Sequence, residues 1–222
     1  GDRMSTPARV SPLAEVQSAH AARWTEVEHM RVVAAFSNEQ ANALHAVALG
    51  DLSHRPRAGV KGPGAAAALN AAGISTPTQP NRWCRSEGAF IARLGLTEYL
   101  IEADQSNDAV SRVLALSDAP NVYPVPHYDA ALIIMGPKAI DLFRQTCSVD
   151  MTTLDPNDGA LVLTSVVGVG ATVAALQTPT GIAYQMWLDG TYASYMWETL
   201  CEIVHDMGGG PIGSESLSRA LG

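Results

Sequence analysis

The sequence predicts an α+β domain made of two similar βαββα halves. Three observations predict it: a duplicated Gly-Pro corner, a hairpin-like pair of apolar runs after each corner, and a composition suited to one large core. The first corner lies in "RAGVKGPGAAAALNAAG", residues 57–73, and the second in "IIMGPKAIDLFRQTC", residues 133–147. Laying 59–73 on 133–147 matches Gly62 with Gly136, Pro63 with Pro137 and Ala65 with Ala139 at a constant offset. In each copy a short apolar run ends at Gly-Pro and a helical pattern follows, with Ala65, Ala66 and Leu69 in one and Ala139, Ile140 and Phe143 in the other.

Taken in order, residues 1–10 read as a disordered leader. Gly1, Asp2 and Arg3 precede Met4 as a tag remnant, and "STPARV" has no apolar stretch of the kind a signal peptide carries. "SPLAEVQSAHAARW" offers Ser11 as an N-cap with Pro12 at the first helical position, and "SNEQANALHAVAL" offers Ser37 and Gln40 as a capping box. Both predict helices. "STPTQPN" and "SDAPNVYPVP" are loops by their proline, asparagine and serine content, and the second is the seam between the halves. The first hairpin-like pair is "AFIARLGLTEYLIEA", broken at Gly95, and the second runs over 161–188, broken at "TPTG". A helix follows each, around 107–116 and over 192–207, where Tyr192, Tyr195, Met196, Thr199, Leu200 and Ile203 share a face. The expected organisation is one domain over 11–207, with halves at 37–116 and 126–207. The glycine-rich, polar tail at 208–222 has too few apolar residues to fold alone and is expected to order by docking on a partner or on the parent domain.

At 222 residues, with 47% apolar and 16% charged side chains, the chain is long and apolar enough to bury a sizeable core. Its longest apolar stretch, 161–176, is interrupted by Thr164, Ser165, Gly168, Gly170 and Thr172, so no run reaches the ~18 residues a membrane span needs. A formal charge of −8 argues against a nucleic-acid surface. The local exception is "HRPRAGVK", where His54, Arg55, Arg57 and Lys61 form a basic cluster that is either a solvated surface or a meeting point for an acidic ligand.

Motifs with chemistry are few. The "GPG" at 62–64 lacks both nucleotide-loop patterns, and Pro63 removes a backbone donor, so it reads as a strand-to-helix corner. "GVGATV", 168–173, also fails the dinucleotide spacing and reads as a glycine-permitted bulge or a place of close backbone packing. The six histidines contain no H-x-x-x-H or H-E-x-x-H pair, which excludes the common metal signatures. His127 and Asp129, at i and i+2, share a face if "HYDAALII" is a strand, giving either an acid/base pair or, more commonly, a strand-edge polar pair. Cys84, Cys147 and Cys201 are an odd, widely spaced set, which suits free thiols in a reducing cytoplasm.

The stretch "ALGDLSHRPRAGVKGPGAAAAL", 48–69, resembles the opening of the aminomethyltransferase family typified by the T-protein of the glycine cleavage system. There an Asp-Leu-Ser segment precedes a strand, a Gly-Pro or Gly-Asp-Ala corner and a helix. "SPLAE", "PNRW", "ARLGLTEYLIE", "LIIMGPKAIDLFRQTCSVDM" and "YASYMWETL", in this order over about 11–207, resemble a smaller branch, the gamma subunit of heterotetrameric sarcosine oxidase. The resemblance implies a folate-binding aminomethyltransferase-like domain lacking the family's C-terminal barrel, and tetrahydrofolate-linked one-carbon chemistry with no covalently held cofactor. The tail "GGGPIGSESLSRALG" is similar to the segment leading to a folate-contacting acidic residue, but the acidic pair that follows a Gly-Gly turn in the catalytic members is missing: at that place "RLGLTEYLIE" offers only Glu98. The Lys-Gly-Cys-Tyr-x-Gly-Gln motif of the iron–sulfur assembly branch is absent too.

Two functions follow. One is a gamma-type subunit of a sarcosine-oxidase-like, amine-demethylating complex, assembling with a large flavin-containing subunit or with itself, with an assembly or folate-site-completing role. The other is a freestanding tetrahydrofolate-dependent aminomethyl or methyl transferase. Either way, a folate-type ligand is expected between the halves, with Arg55, Arg57 or Lys61 meeting its carboxylates and Trp83 or Tyr99 forming an apolar wall. No catalytic residue is assigned and no metal is expected.

Overall fold

The computed structural model describes residues 9–40, 42–104 and 106–222. Residues 1–8 of the leader expected at 1–10 lie outside them. Arg9–Val10, placed in that leader by the sequence, form strand β1, which joins a hairpin, β2 (Ala21–Val27) and β3 (Met30–Phe36), in the order β1-β3-β2. Between them the Ser11 Oγ accepts the Leu13 N–H at 3.2 Å in the turn ahead of helix α1 (Ala14–Ser18), which has Leu13 at its N-cap position in place of the expected Ser11, and this helix is short. It stops because the following residues pair instead. Glu28 and His29, with φ of 51° and 60°, make the tight turn, and Trp24 lies opposite Val33 with Arg31 over its ring.

The helix expected over "SNEQANALHAVAL" is also absent among the described residues. One 3₁₀ turn at Ala43–His45 leads directly into β4 (Ala48–Asp51). The Glu39 carboxylate, rather than the Ser37–Gln40 box, organises this corner by accepting the N–H groups of Phe36 at 3.1 Å and Gly213 at 3.0 Å. Alanine-rich sequence favours helix only until a strand site offers ladder bonds and full burial, and Ala48 and Leu49 are entirely buried.

The body of the domain is a repeat. The first unit is β5 (Arg57–Lys61), α2 (Ala65–Ala71), β6 (Arg82–Ser86), β7 (Ala89–Arg93), β8 (Glu98–Glu102) and α3 (Ala109–Leu114). A short strand, β9 (Tyr123–Pro126), leads into the second: β10 (Ala130–Met135), α4 (Ala139–Thr146), β11 (Leu161–Val166), β12 (Val169–Thr178), β13 (Gly181–Leu188) and α5 (Ala193–Asp206). Each unit has one strand more than the sequence pattern shows. The extra strands, β6 and β11, come from two-residue turns at Glu87–Gly88 (φ 50° and 89°) and Val167–Gly168 (φ 42° and 83°). Gly168 is therefore a hairpin turn residue and not the bulge expected of "GVGATV".

The first sheet runs β6-β7-β8-β5-β9 and the second β11-β12-β13-β10-β4. The leading strands are exchanged: β9 pairs antiparallel with β5, and β4 pairs antiparallel with β10. Neither half therefore completes a sheet from its own residues. Gly62 and Gly136 sit at equivalent corners of this exchange, at φ of 121° and 104°. A Cβ on Gly62 would lie 2.1 Å from the Asn121 carbonyl oxygen and one on Gly136 2.7 Å from that of Ala46, each acceptor just ahead of the exchanged strand. The same carbonyls accept the N–H groups of Gly64 (3.1 Å) and Lys138 (2.9 Å).

Four layers result. Leu69, Ile91, Ile101 and Val113 fill the space between the first sheet and α2/α3, and Leu142, Phe143, Met196 and Leu200 that between the second sheet and α4/α5. Phe90, Leu100, Ile133 and Trp187 lie between the sheets. The 208–222 segment docks on the parent domain and belongs to this central core. Strand β14 (Gly210–Pro211) extends the second sheet parallel to β4, and helix α6 (Ser214–Leu221) buries Leu217 and Ala220 against it. Among the described residues, no helix is long and apolar enough to cross a membrane.

Candidate functional site in the seam between the sheets

Strand alternation decides which side chains reach the seam. On β8, Leu100 and Glu102 face the second sheet, while Tyr99 and Ile101 face α2 and α3. Tyr99 is thus a core residue of the first half, 1% exposed with Arg93 over its ring, and not a wall between the halves as expected.

The centre of the seam is the carboxylate of Glu102, which is fully buried. Its Oε2 accepts from Arg57 at 3.3 Å and from the Trp187 indole at 2.8 Å. Its Oε1 accepts from Gln185 at 2.7 Å and from Arg55 at 3.4 Å. Gln185 and Trp187 come from β13, so the network crosses from one half to the other. Burial works to raise the Glu102 pKa, but Arg57, Arg55, Trp187 and Gln185 outweigh it and hold the group below its ordinary value. Arg57 is itself enclosed, donating to the carbonyls of Leu52 (3.3 Å), Ser53 (3.3 Å) and Asp129 (2.5 Å). Next to it His54 is buried with its Nδ1 unpartnered, and burial, aided by the nearby Arg55 and Arg57, drives its pKa down to about 4 against the opposing pull of Asp51 and Glu102.

The basic cluster therefore does not form one anion site. Arg55 and Arg57 neutralise Glu102, Lys61 pairs with Glu98 at 2.9 Å on the surface, and His54 is uncharged. Trp83, half-buried, stacks on Phe90 with ring centroids 5.1 Å apart, at the edge of the central core. Sequence reading missed Glu102, Gln185 and Trp187. The available signal was a polar side chain at an inward position of an otherwise apolar strand, in "EYLIE" and "IAYQMWL".

Beyond this network the sheets part and leave a cleft of about 550 Å³, walled by Leu100, Trp187 and Leu188 with His127, Asp129 and Asp189 as its ionisable groups. His127 Nδ1 lies 2.7 Å from Asp129 Oδ2, so the i, i+2 pair forms. Its ring occupies the space over Gly59, where a Cβ would fall 2.3 Å from Nε2. Chemically this is an oriented imidazole in an apolar cleft, able to hold or pass a proton. Among the described residues lining the cleft, His127 is the only one able to carry positive charge, so the carboxylates of a folate find no guanidinium or ammonium there. Among the described residues, no three His, Cys, Asp or Glu side chains converge to hold a metal ion.

No protein-family profile matches the chain. In sequence it is 27% identical, over 230 residues, to an aminomethyltransferase of Saccharopolyspora erythraea, a match that takes in 95% of this chain and 62% of that protein. In structure it is similar to the glycine cleavage system aminomethyltransferase T of Bartonella henselae, with a TM-score of 0.71 at 15% identity over 96% of this chain and 62% of that one. It is also similar to a chain of the heterotetrameric sarcosine oxidase of Corynebacterium sp. U-96, with a TM-score of 0.65 at 18% identity over 91% of this chain and 97% of that one. The chain spans about 62% of the length of both aminomethyltransferases. It has the fold of the aminomethyltransferase superfamily, shared with heterotetrameric sarcosine oxidase, and resembles an aminomethyltransferase in sequence.

Proposed function

We propose that this chain is a gamma-type subunit of a sarcosine-oxidase-like, tetrahydrofolate-linked amine-demethylating complex, with an assembly role beside a large flavin-containing subunit in the cytoplasm. The observation that carries this reading is the closed centre of the seam. Glu102, the carboxylate at its heart, is held by four donors, and of the cations expected to receive folate Arg55 and Arg57 are held by Glu102 and Lys61 by Glu98. A group so bonded neither binds ligand nor moves protons without breaking the contact between the halves. The near-complete match to a chain of a heterotetrameric enzyme supports the same reading.

The second reading, a freestanding folate-dependent transferase, is favoured by one feature, the His127–Asp129 pair in the cleft. Co-expression with the genomic neighbours, followed by size-exclusion with light scattering, separates the two. A stable heteromer is expected, together with no heat and no thermal stabilisation from millimolar tetrahydrofolate on the isolated chain. A monomer that turns over a methylated amine with tetrahydrofolate overturns the subunit reading.

A further inference from the structure

We propose that the cleft between the sheets is a socket for a partner polypeptide, filled by a loop that presents an apolar anchor beside a lysine or arginine. The inner faces of both sheets continue past the point where they cover each other. On β11 Leu163, which lines the cleft, is 53% exposed, and on β9 Tyr123 and Val125, outside the cleft lining but on the same face as His127, are 62% and 47% exposed. Gly170 of β12 faces the same opening, and a Cβ on it would meet nothing within 4 Å. Large apolar side chains gathered at an open groove mark a recognition surface more than a solvated one.

Two features define the occupant. The first is charge. Asp129 and Asp189 line the cleft, His127 is engaged by Asp129, and Lys61 at the first sheet's margin is engaged by Glu98. Asp189 is held ionised by the Thr191 hydroxyl and N–H, which push its pKa down. Among the described residues, the socket thus presents carboxylates with no guanidinium or ammonium lining it, the complement of a basic side chain. The second is the edge. His127 donates its N–H to the Arg57 carbonyl, so by alternation the N–H groups of Tyr123 and Val125 also face β5, and the outward positions on β9 are Pro124 and Pro126, which have no N–H. Strand addition is blocked there, and the partner engages through side chains entering the cleft.

The inference rests on the subunit reading and has its own test. The chain is co-expressed with its genomic neighbours carrying benzoylphenylalanine at position 163, or at position 182 as a control, and the photo-crosslinks are mapped. The expected result is a crosslink from 163, and none from 182, to a partner segment containing apolar residues and a lysine or arginine. Leu163→Glu lowers the retained partner at least about tenfold, as loss of an interface anchor does, while Ile182→Glu leaves it unchanged. Gly170→Trp plugs the cleft from a position with free space and gives the same loss even if Leu163→Glu fails to fold. A complex whose yield is unchanged by Gly170→Trp, with no crosslink from 163, overturns the socket and leaves the subunit reading intact. So does a crosslink to a second copy of this chain, or stabilisation by tetramethylammonium that Gly170→Trp abolishes while partner retention is unaffected. A monomer that retains nothing overturns both.

Discussion

The Trp187 indole donates to Glu102 across 2.8 Å, and the two residues belong to opposite halves of the repeat. This bond and the neighbouring one from Gln185 link the sheets through a buried polar network in the core between them. Removing a partner from such a buried, charged network leaves the remaining groups without compensation. Glu102→Ala, which strands Arg57 at zero side-chain exposure, is expected to cost about 3–5 kcal/mol. Trp187→Phe, which keeps the ring and removes the donor, is expected to cost about 2 kcal/mol. Urea unfolding of both variants measures this, and a Trp187→Phe variant as stable as the parent would show that the indole N–H is not what Glu102 needs.

The duplicated corner makes a graded prediction. Gly62→Ala and Gly136→Ala each force a side chain into positive φ and toward a carbonyl oxygen. The contact is closer at Gly62, 2.1 Å against 2.7 Å, so Gly62→Ala destabilises more. Each is expected to cost on the order of 1–3 kcal/mol or more. Gly168→Asn, in an open turn, costs less than about 1 kcal/mol. Thermal midpoints of the three variants give the order directly.

Stability is expected to fall on mild acidification. The folded chain keeps His54 neutral down to about pH 4, while an unfolded histidine takes its proton near 6.5. Between these values the unfolded state binds more protons, so the contribution is complete above about 6.5 and is lost as pH drops through the window, by roughly 3 kcal/mol. Glu102, whose folded pKa is lowered, adds a further loss that begins as pH falls below its ordinary value of 4.5, where the unfolded carboxylate takes its proton, and is complete once the folded one does. Urea midpoints between pH 7.5 and 4 test the slope, which His54→Gln should flatten.

Thiol reactivity tests the surroundings of Cys201. Burial, with Glu198 nearby, pushes the Cys201 thiol up to about 12, so almost no thiolate forms at pH 8. Iodoacetamide at that pH should leave Cys201 unlabelled in the folded chain and label it after urea, as peptide mass spectrometry would show. Rapid labelling of native Cys201 would place it in a more open environment.

The sequence by itself determined what is local. Gly62-Pro63 and Gly136-Pro137 could be read as paired corners because a glycine at positive φ followed by a proline opening a helix is a property of a few adjacent residues. The helix α5 and the α+β class were legible for the same reason, since periodicity needs no knowledge of the partner. The buried face of α5, however, is Ala193, Met196, Trp197, Leu200 and Val204, and Tyr192 and Tyr195 of the expected face are exposed. What only the tertiary structure decided is which surface each segment meets. Residues 48–51, in alanine-rich sequence with helix punctuation, become a strand because β10 of the other half offers them a ladder and complete burial. Arg57 and Tyr99 look like ligand residues in sequence, yet one neutralises a buried carboxylate and the other faces the helices. Strand direction and alternation send a side chain to one face or the other, and the exchange of β4 and β9 between the halves sets what waits there.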